Sequence, residues 1–261
     1  MMASEYWAEA LATWAIPAEI LDQAPESPWG FAPGMFAAVT RDTLARPTPT
    51  HRRAVEGMPE HAVVLDVGAG TGAASLPLAP PAGRIVAVDQ SQAMLDEMAR
   101  LAGDRVSIQT IVGRWPDVSD QVEPVDVAVC ANVAYNVANL DRFAGALTEA
   151  TRGRVVMELT SVHPQSALAP LWRHFWQLER PTTPTADDAR NVIRETLGVE
   201  VQSERWSRHH PLGRADDDAV ASIRRRLCLS PSADAEIAEL LESMGQWRPT
   251  GMVTMWWPGR A

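Results

Sequence analysis

The chain has 261 residues, 46% of them hydrophobic, which suits one domain with a large core and some additions. A formal net charge of −10 disfavours a nucleic-acid partner, which would want a basic face, and no apolar run reaches membrane length. Cys130 and Cys228 are the only cysteines and lie far apart, and the acidic, tryptophan-bearing start does not read as a signal peptide, so no disulfide or metal cluster is expected and a reducing cytoplasm is the expected setting.

Residues 1 to about 58 precede the first strand. Tyr6 to Leu21 carries a helical pattern interrupted by Pro17, with Trp7, Leu11 and Trp14 on one face. Pro25 to Gly30 has loop chemistry, Phe31 to Leu44 suits a second helix, and Thr50 caps a third over His51 to Gly57. Val63-Val64-Leu65-Asp66-Val67 then runs as a buried strand into Gly68-Ala69-Gly70-Thr71-Gly72. Glycines there let the backbone pass close to a ligand where a Cβ would collide. Gly68-x-Gly70-x-x-Ala73 also satisfies a dinucleotide fingerprint. The acid at Asp66 favours a different ligand: a carboxylate repels a pyrophosphate and holds a cation, and S-adenosylmethionine carries both a sulfonium and an ammonium.

Arg84 to Asp89 is a second apolar strand ending in an acid, about twenty residues beyond the turn, where a carboxylate accepts from ribose hydroxyls. Ser91 caps a helix to Arg100 whose core stripe is Met94, Leu95, Met98 and Leu101, with Met94 also in reach of an adenine. Val106 to Val112 is a third strand, followed by Gly113-Arg114-Trp115-Pro116-Asp117, and Val125 to Cys130 is a fourth, with a loop from Asn132. Val155 to Thr160 is a fifth. Beyond Ser161-Val162-His163-Pro164, a segment with Trp172, Phe175 and Trp176 on one helical face reads as an insertion over the active site, about 161–198. Ala186 to Leu197 is helical and stops at Gly198. Val199 to Trp206 is a strand, Asp216 to Leu227 and Ala233 to Met244 are helices, and Gly251 to Trp257 is a final strand. Seven strands alternating mostly with helices predict an α/β, doubly wound, Rossmann-like sheet.

The order of these features resembles the class I S-adenosylmethionine-dependent methyltransferases of the small-molecule branch, over roughly residues 60 to 160. The resemblance implies a mostly parallel sheet whose last strand inserts antiparallel between the fifth and sixth. It also implies a helical N-terminal lid over residues 1–58, ahead of a cofactor domain over 59–261. Asp66, Gly68, Ala69, Gly70 and Gly72 would hold the methionine part of S-adenosyl-L-methionine. Asp89, with Gln90 beside it, would grip the ribose. Gly113, Arg114 and Trp115 would bracket the adenine, and Cys130, Ala131 and Asn132 would face the reacting methyl. Among lid residues, Arg41, Arg46 or Arg52 is a candidate for the cofactor carboxylate, and each also reads as a solvated surface arginine. Two departures stand out. Arg114 occupies a position where many relatives place an acid for the adenine amino group, leaving Asp117 or backbone as acceptor, with Trp115 stacking. Pro77 falls inside the helix expected after the turn and should kink or shorten it.

Methyl transfer from a sulfonium is an in-line displacement that depends mainly on alignment. Where a base is needed, His163 is the best placed, just past the fifth strand, and Tyr135 is positioned to orient the acceptor. Glu158, interior to the fifth strand, is expected to pack or pair. The expected acceptor is a small molecule whose O, N or C is methylated by a monomer or homodimer. A Rossmann-type oxidoreductase using NAD(P), or a cofactor-binding module without catalysis, are the alternatives.

Overall fold

A computed structural model describes residues 1–29, 33–208, 217–244 and 250–261. The expected loop end at Gly30 and the expected helix starts at Phe31 and Asp216 fall outside them. Seven strands form one sheet: β1 (Ala62–Val67), β2 (Ala82–Asp89), β3 (Ser107–Val112), β4 (Val125–Ala131), β5 (Thr151–Thr160), β6 (Gln202–Arg208) and β7 (Thr250–Pro258). Their order is β3-β2-β1-β4-β5-β7-β6, parallel except for β7, which runs antiparallel between β5 and β6. β1 pairs in parallel with β2 on one side and β4 on the other, so the strand order reverses between β1 and β4 and their carboxyl ends form the switch point of the sheet.

Each central strand alternates between two buried faces, which is why it reads as a continuous apolar run. Leu65 and Val67 of β1 face one core together with α6 (Leu140–Glu149) and α8 (Ala186–Leu197). Val64 faces the other, with Leu95 and Met98 of α5 (Gln92–Ala102). Asp66 shares Val64's side by the same alternation.

Pro77 does more than shorten the helix after the glycine turn. The β1–β2 crossover has only a 3₁₀ turn over Leu76–Leu78, since proline lacks the N–H a longer helix needs. N-terminal helices fill the space: α3 (Pro33–Ala45) packs on that turn and on α5, and Ala54 of α4 (Pro49–Val55) is fully buried in the same core. The remaining N-terminal helix, α1 (Ala3–Ala12), lies on the opposite face against α6 and α8. Its Trp7 is fully buried and donates Nε1–H to the Val137 carbonyl at 2.8 Å. Residues 1–58 are therefore divided between both sheet faces instead of forming one lid.

A helical cap does exist, assembled from distant segments. Ile16 and Ile20 of the α2 region (α2, Ala18–Leu21), Leu171 and Trp172 of α7 (Ala169–Trp176), Val220 and Ile223 of α9 (Asp217–Arg226) and Ile237 of α10 (Asp234–Ser243) make a separate apolar cluster. The insertion expected over 161–198 is split accordingly: α7 joins the cap, whereas α8 packs on the sheet side.

Candidate active site

The glycine turn is shaped by three positive φ angles, 69° at Gly68, 52° at Gly70 and 88° at Gly72. Side chains are barred at two of them for internal reasons. A Cβ on Gly68 would stand 2.2 Å from Val133 Cγ2, and one on Gly72 would stand 2.7 Å from Leu76 Cγ. Gly70 differs, because a Cβ there would meet nothing within 4 Å. Its side of the turn is open, as a backbone that approaches a ligand must be. The turn is anchored from below: the Gly68 and Ala69 N–H groups both donate to the Val88 carbonyl, at 2.8 and 3.1 Å. Thr40 of α3 meets the Thr71 hydroxyl at 2.7 Å. His51 of α4 accepts the Thr48 N–H at Nδ1 (2.8 Å), so Nε2 carries the proton and donates to the Ala73 carbonyl at 2.9 Å. Neither tether left a recognisable sequence pattern.

Asp66 is fully buried. Oδ2 accepts the Ser75 hydroxyl at 2.5 Å, whereas Oδ1, also buried, has no partner. Burial raises its carboxyl to about 7; the Ser75 hydrogen bond opposes this and the charge of Asp89 adds to it. The full negative charge expected of Asp66 is thereby reduced to that of a buried, partly protonated acid ahead of the turn. Asp89 accepts the Gly70 N–H at Oδ2 (2.8 Å) and the Ser91 N–H at Oδ1 (2.9 Å), which fixes the acid at the carboxyl end of β2 against the turn. Gln90 and Arg114 meet at the exposed rim, Nη2 to Oε1 at 3.5 Å. Gly113 cannot carry a side chain, because a Cβ would stand 2.3 Å from Val118 Cγ1, and its N–H donates to the Asp89 carbonyl. Met94 is buried in the first turn of α5.

Trp115 departs from its expected stacking role. It is only 5% exposed, lies in the α6-side core, and donates Nε1–H to the Phe143 carbonyl at 3.3 Å. A tryptophan buried with its N–H satisfied gains more from the core than from the rim. Asp117, the substitute acceptor, is exposed and 4.0 Å from Arg142. Arg46 pairs with Asp42, and Arg52 lies 3.4 Å from Glu204, so both act as surface ion pairs.

At the end of β4 the Cys130 thiol turns into the core, where burial first and Asp66 second push its pKa up. Ala131 is half-buried, and Asn132 takes a left-handed φ of 59°. That turn is held by Glu158 of β5: the Asn132 N–H donates to the Glu158 carbonyl at 2.8 Å and Asn132 Nδ2 to Oε1 at 3.1 Å. Glu158 is 2% exposed and also accepts from Thr50 at 2.6 Å and from Arg208 at 2.7 Å. Thr50 touches Thr254 in turn, and Trp206 donates to Thr254. One buried carboxylate on β5 thus joins α4, the end of β4 and β6, and reaches β7 through Thr50. The signal for it was an acid interrupting an apolar strand.

The structure brings His163 and Tyr135 together, with ring centroids 5.1 Å apart, past the ends of β5 and β4. Neither keeps the role expected of it. His163 stacks on Trp14 at 3.8 Å, its Nδ1 accepts the Gln165 N–H at 3.3 Å, and burial, aided by the Arg180 charge, lowers its pKa to about 4. With Nδ1 engaged and Nε2 holding the neutral ring's proton, it is a poor base. Tyr135 donates its hydroxyl to the Thr160 carbonyl at 2.9 Å, and burial pushes its pKa up. Both rings are held in place by these contacts.

The open side at Gly70, with the Asp89 carboxylate on its N–H and a buried acid, Asp66, two residues ahead of Gly68, is chemistry that fits the cationic end of the expected cofactor. Residues 64–153 match a family described as methyltransferase domain. No curated protein matches the chain. Among solved structures, YcgJ from Bacillus subtilis superposes with a TM-score of 0.51 at 14% identity, covering 81% of this chain and 98% of that one. A provisionally named methyltransferase of Bacillus halodurans C-125 gives 0.53 at 13%, over 84% and 100%. Magnesium protoporphyrin IX methyltransferase (ChlM) from Synechocystis PCC 6803, solved with bound SAH, gives 0.51 at 13%, over 84% and 82%.

Proposed function

We propose that the chain, with a match to a methyltransferase domain at residues 64–153 and the class I S-adenosylmethionine-dependent fold around it, is a methyltransferase that methylates O, N or C of a small-molecule acceptor. The observation that carries this reading is the Gly70 side of the turn, open to a ligand and flanked by two glycines whose side-chain space is filled by the protein itself. Gly68 to Gly72 with Asp66 would hold the methionine part of S-adenosyl-L-methionine, Asp89 the ribose, and Gly113 with the Gln90–Arg114 rim the adenine. Asn132, set by Glu158, would stand beside the reacting centre. When bound, the cofactor supplies an electrophilic methyl already activated by its sulfonium.

What the protein adds is alignment and water exclusion. His163 and Tyr135 shape the acceptor side and leave proton removal to acceptors that need little help. A net charge of −10 favours a small molecule over a nucleic acid, in a cytoplasmic setting. Calorimetric titration with S-adenosylhomocysteine and NADH, followed by labelled methyl transfer to a pool of small metabolites, tests the reading. NADH binding in place of the sulfur ligand, or label appearing only in RNA or protein, would overturn it.

A further inference from the structure

Where the cap meets the sheet domain, four side chains stack in sequence. Trp14, just past α1, lies against His163; the Arg180 guanidinium lies over Trp14 and over Trp172 of the cap, 5.1 Å from each ring centroid. Arg180 Nη2 donates to the Trp14 carbonyl at 2.5 Å and Nη1 to the Ala15 carbonyl at 3.4 Å, the latter at the surface. Two donors in the same stack go unused. Arg180 Nε and Trp172 Nε1 are buried without a hydrogen-bond partner.

The charge balance is just as uneven. Arginines elsewhere, such as Arg53, Arg100, Arg173 and Arg205, pair with carboxylates. Arg180 is half-buried and has no acidic partner among the described residues. A cation removed from water and left with only carbonyl dipoles retains an unmet demand for an anion. Stacking on two indoles offsets part of that cost and keeps the guanidinium plane fixed, which suits recognition of a planar carboxylate.

We propose that Arg180, held between Trp14 and Trp172, binds the carboxylate of the methyl acceptor, so that the acceptor belongs to the carboxylate-bearing small molecules. The inference rests on the methyl-transfer reading for the neighbouring cofactor cleft. His163 stacks on Trp14 and meets Tyr135 edge-on, past the carboxyl ends of β5 and β4, which ties the Arg180 stack to that end of the sheet. A carboxylate at Arg180 would fill the unused donor positions, and binding would draw the cap against the sheet domain through Trp172.

The test uses the full chain saturated with S-adenosylhomocysteine. Benzoate, phenylacetate and indole-3-acetate are titrated calorimetrically against their primary amides. At least one acid should bind tenfold or more tightly than its amide, and Arg180→Met should bring the pair within about twofold. Should that variant fail to fold, Arg180→Lys keeps the charge but not the planar fork, and should lower the preference at least threefold. Acids and amides binding alike, neither binding, or a preference that survives substitution would each overturn the proposal and reduce Arg180 to a staple for the end of α1. S-adenosylhomocysteine is titrated first: failure at that step counts against methyl transfer itself, whereas success followed by indifference to carboxylates counts only against Arg180.

Discussion

Gly70→Ala separates the backbone's needs from the ligand's. Alanine at φ +52° costs about 1–2 kcal/mol in backbone strain. The smaller entropy of its unfolded chain returns about 0.4–1 kcal/mol. Because a Cβ at Gly70 meets nothing within 4 Å, no packing cost adds to this. The net loss of about 1 kcal/mol corresponds to roughly 3 °C in Tm for a chain of this size. Gly198, at the end of α8, is the matched control, with φ +61° and the same open space around its Cβ position. Gly198→Ala should lower Tm by a similar amount. The ligand sees only the first change: a methyl pushed into a fitted contact costs about 1–3 kcal/mol, or roughly 5- to 150-fold in affinity. Calorimetry with S-adenosylhomocysteine should therefore show Gly198→Ala near the parent and Gly70→Ala far weaker. If Gly70→Ala binds within twofold of the parent, or both variants weaken equally, the open face at Gly70 is not the cofactor cradle.

Three further outcomes follow from buried groups. Between about pH 4 and 7 the folded state keeps a proton on Asp66 that the unfolded chain has lost, so stability falls as pH rises through that window, by up to about 4 kcal/mol. Asp66→Asn should remove this slope in urea melts at pH 5, 7 and 8; an unchanged slope would assign it elsewhere. His163, lowered to about 4, stays neutral in the folded protein while the unfolded chain protonates below about 6.5, so its contribution is lost as pH falls from 6.5 towards 4. Turnover should consequently show no limb near pH 6.5 from this group, and a limb that vanishes in His163→Phe would restore it as a base. Trp115→Phe loses a buried indole and its bond to Phe143, which should cost about 1–2 kcal/mol in melts yet leave S-adenosylhomocysteine affinity within twofold; a tenfold loss would return Trp115 to the adenine.

The sequence by itself determined the sheet and the glycine turn, because both are written in local chemistry. Apolar runs buried on two faces mark β1, β2, β4 and β5 wherever they occur. The glycines at 68, 70 and 72 are demanded by backbone angles that few other residues adopt. Asp89 is legible for a similar reason, as an acid ending a strand at a fixed distance from that turn. Tertiary structure alone decided which way Trp115 turns, since its indole fits either a rim or a core and the choice depends on whether Phe143 offers a carbonyl. It also decided that Asp66 is buried against Ser75, that Glu158 joins four elements, and that the cap is gathered from segments as distant as Ile16 and Ile237. Those facts depend on contacts between residues far apart in the chain, and no periodicity or motif records them.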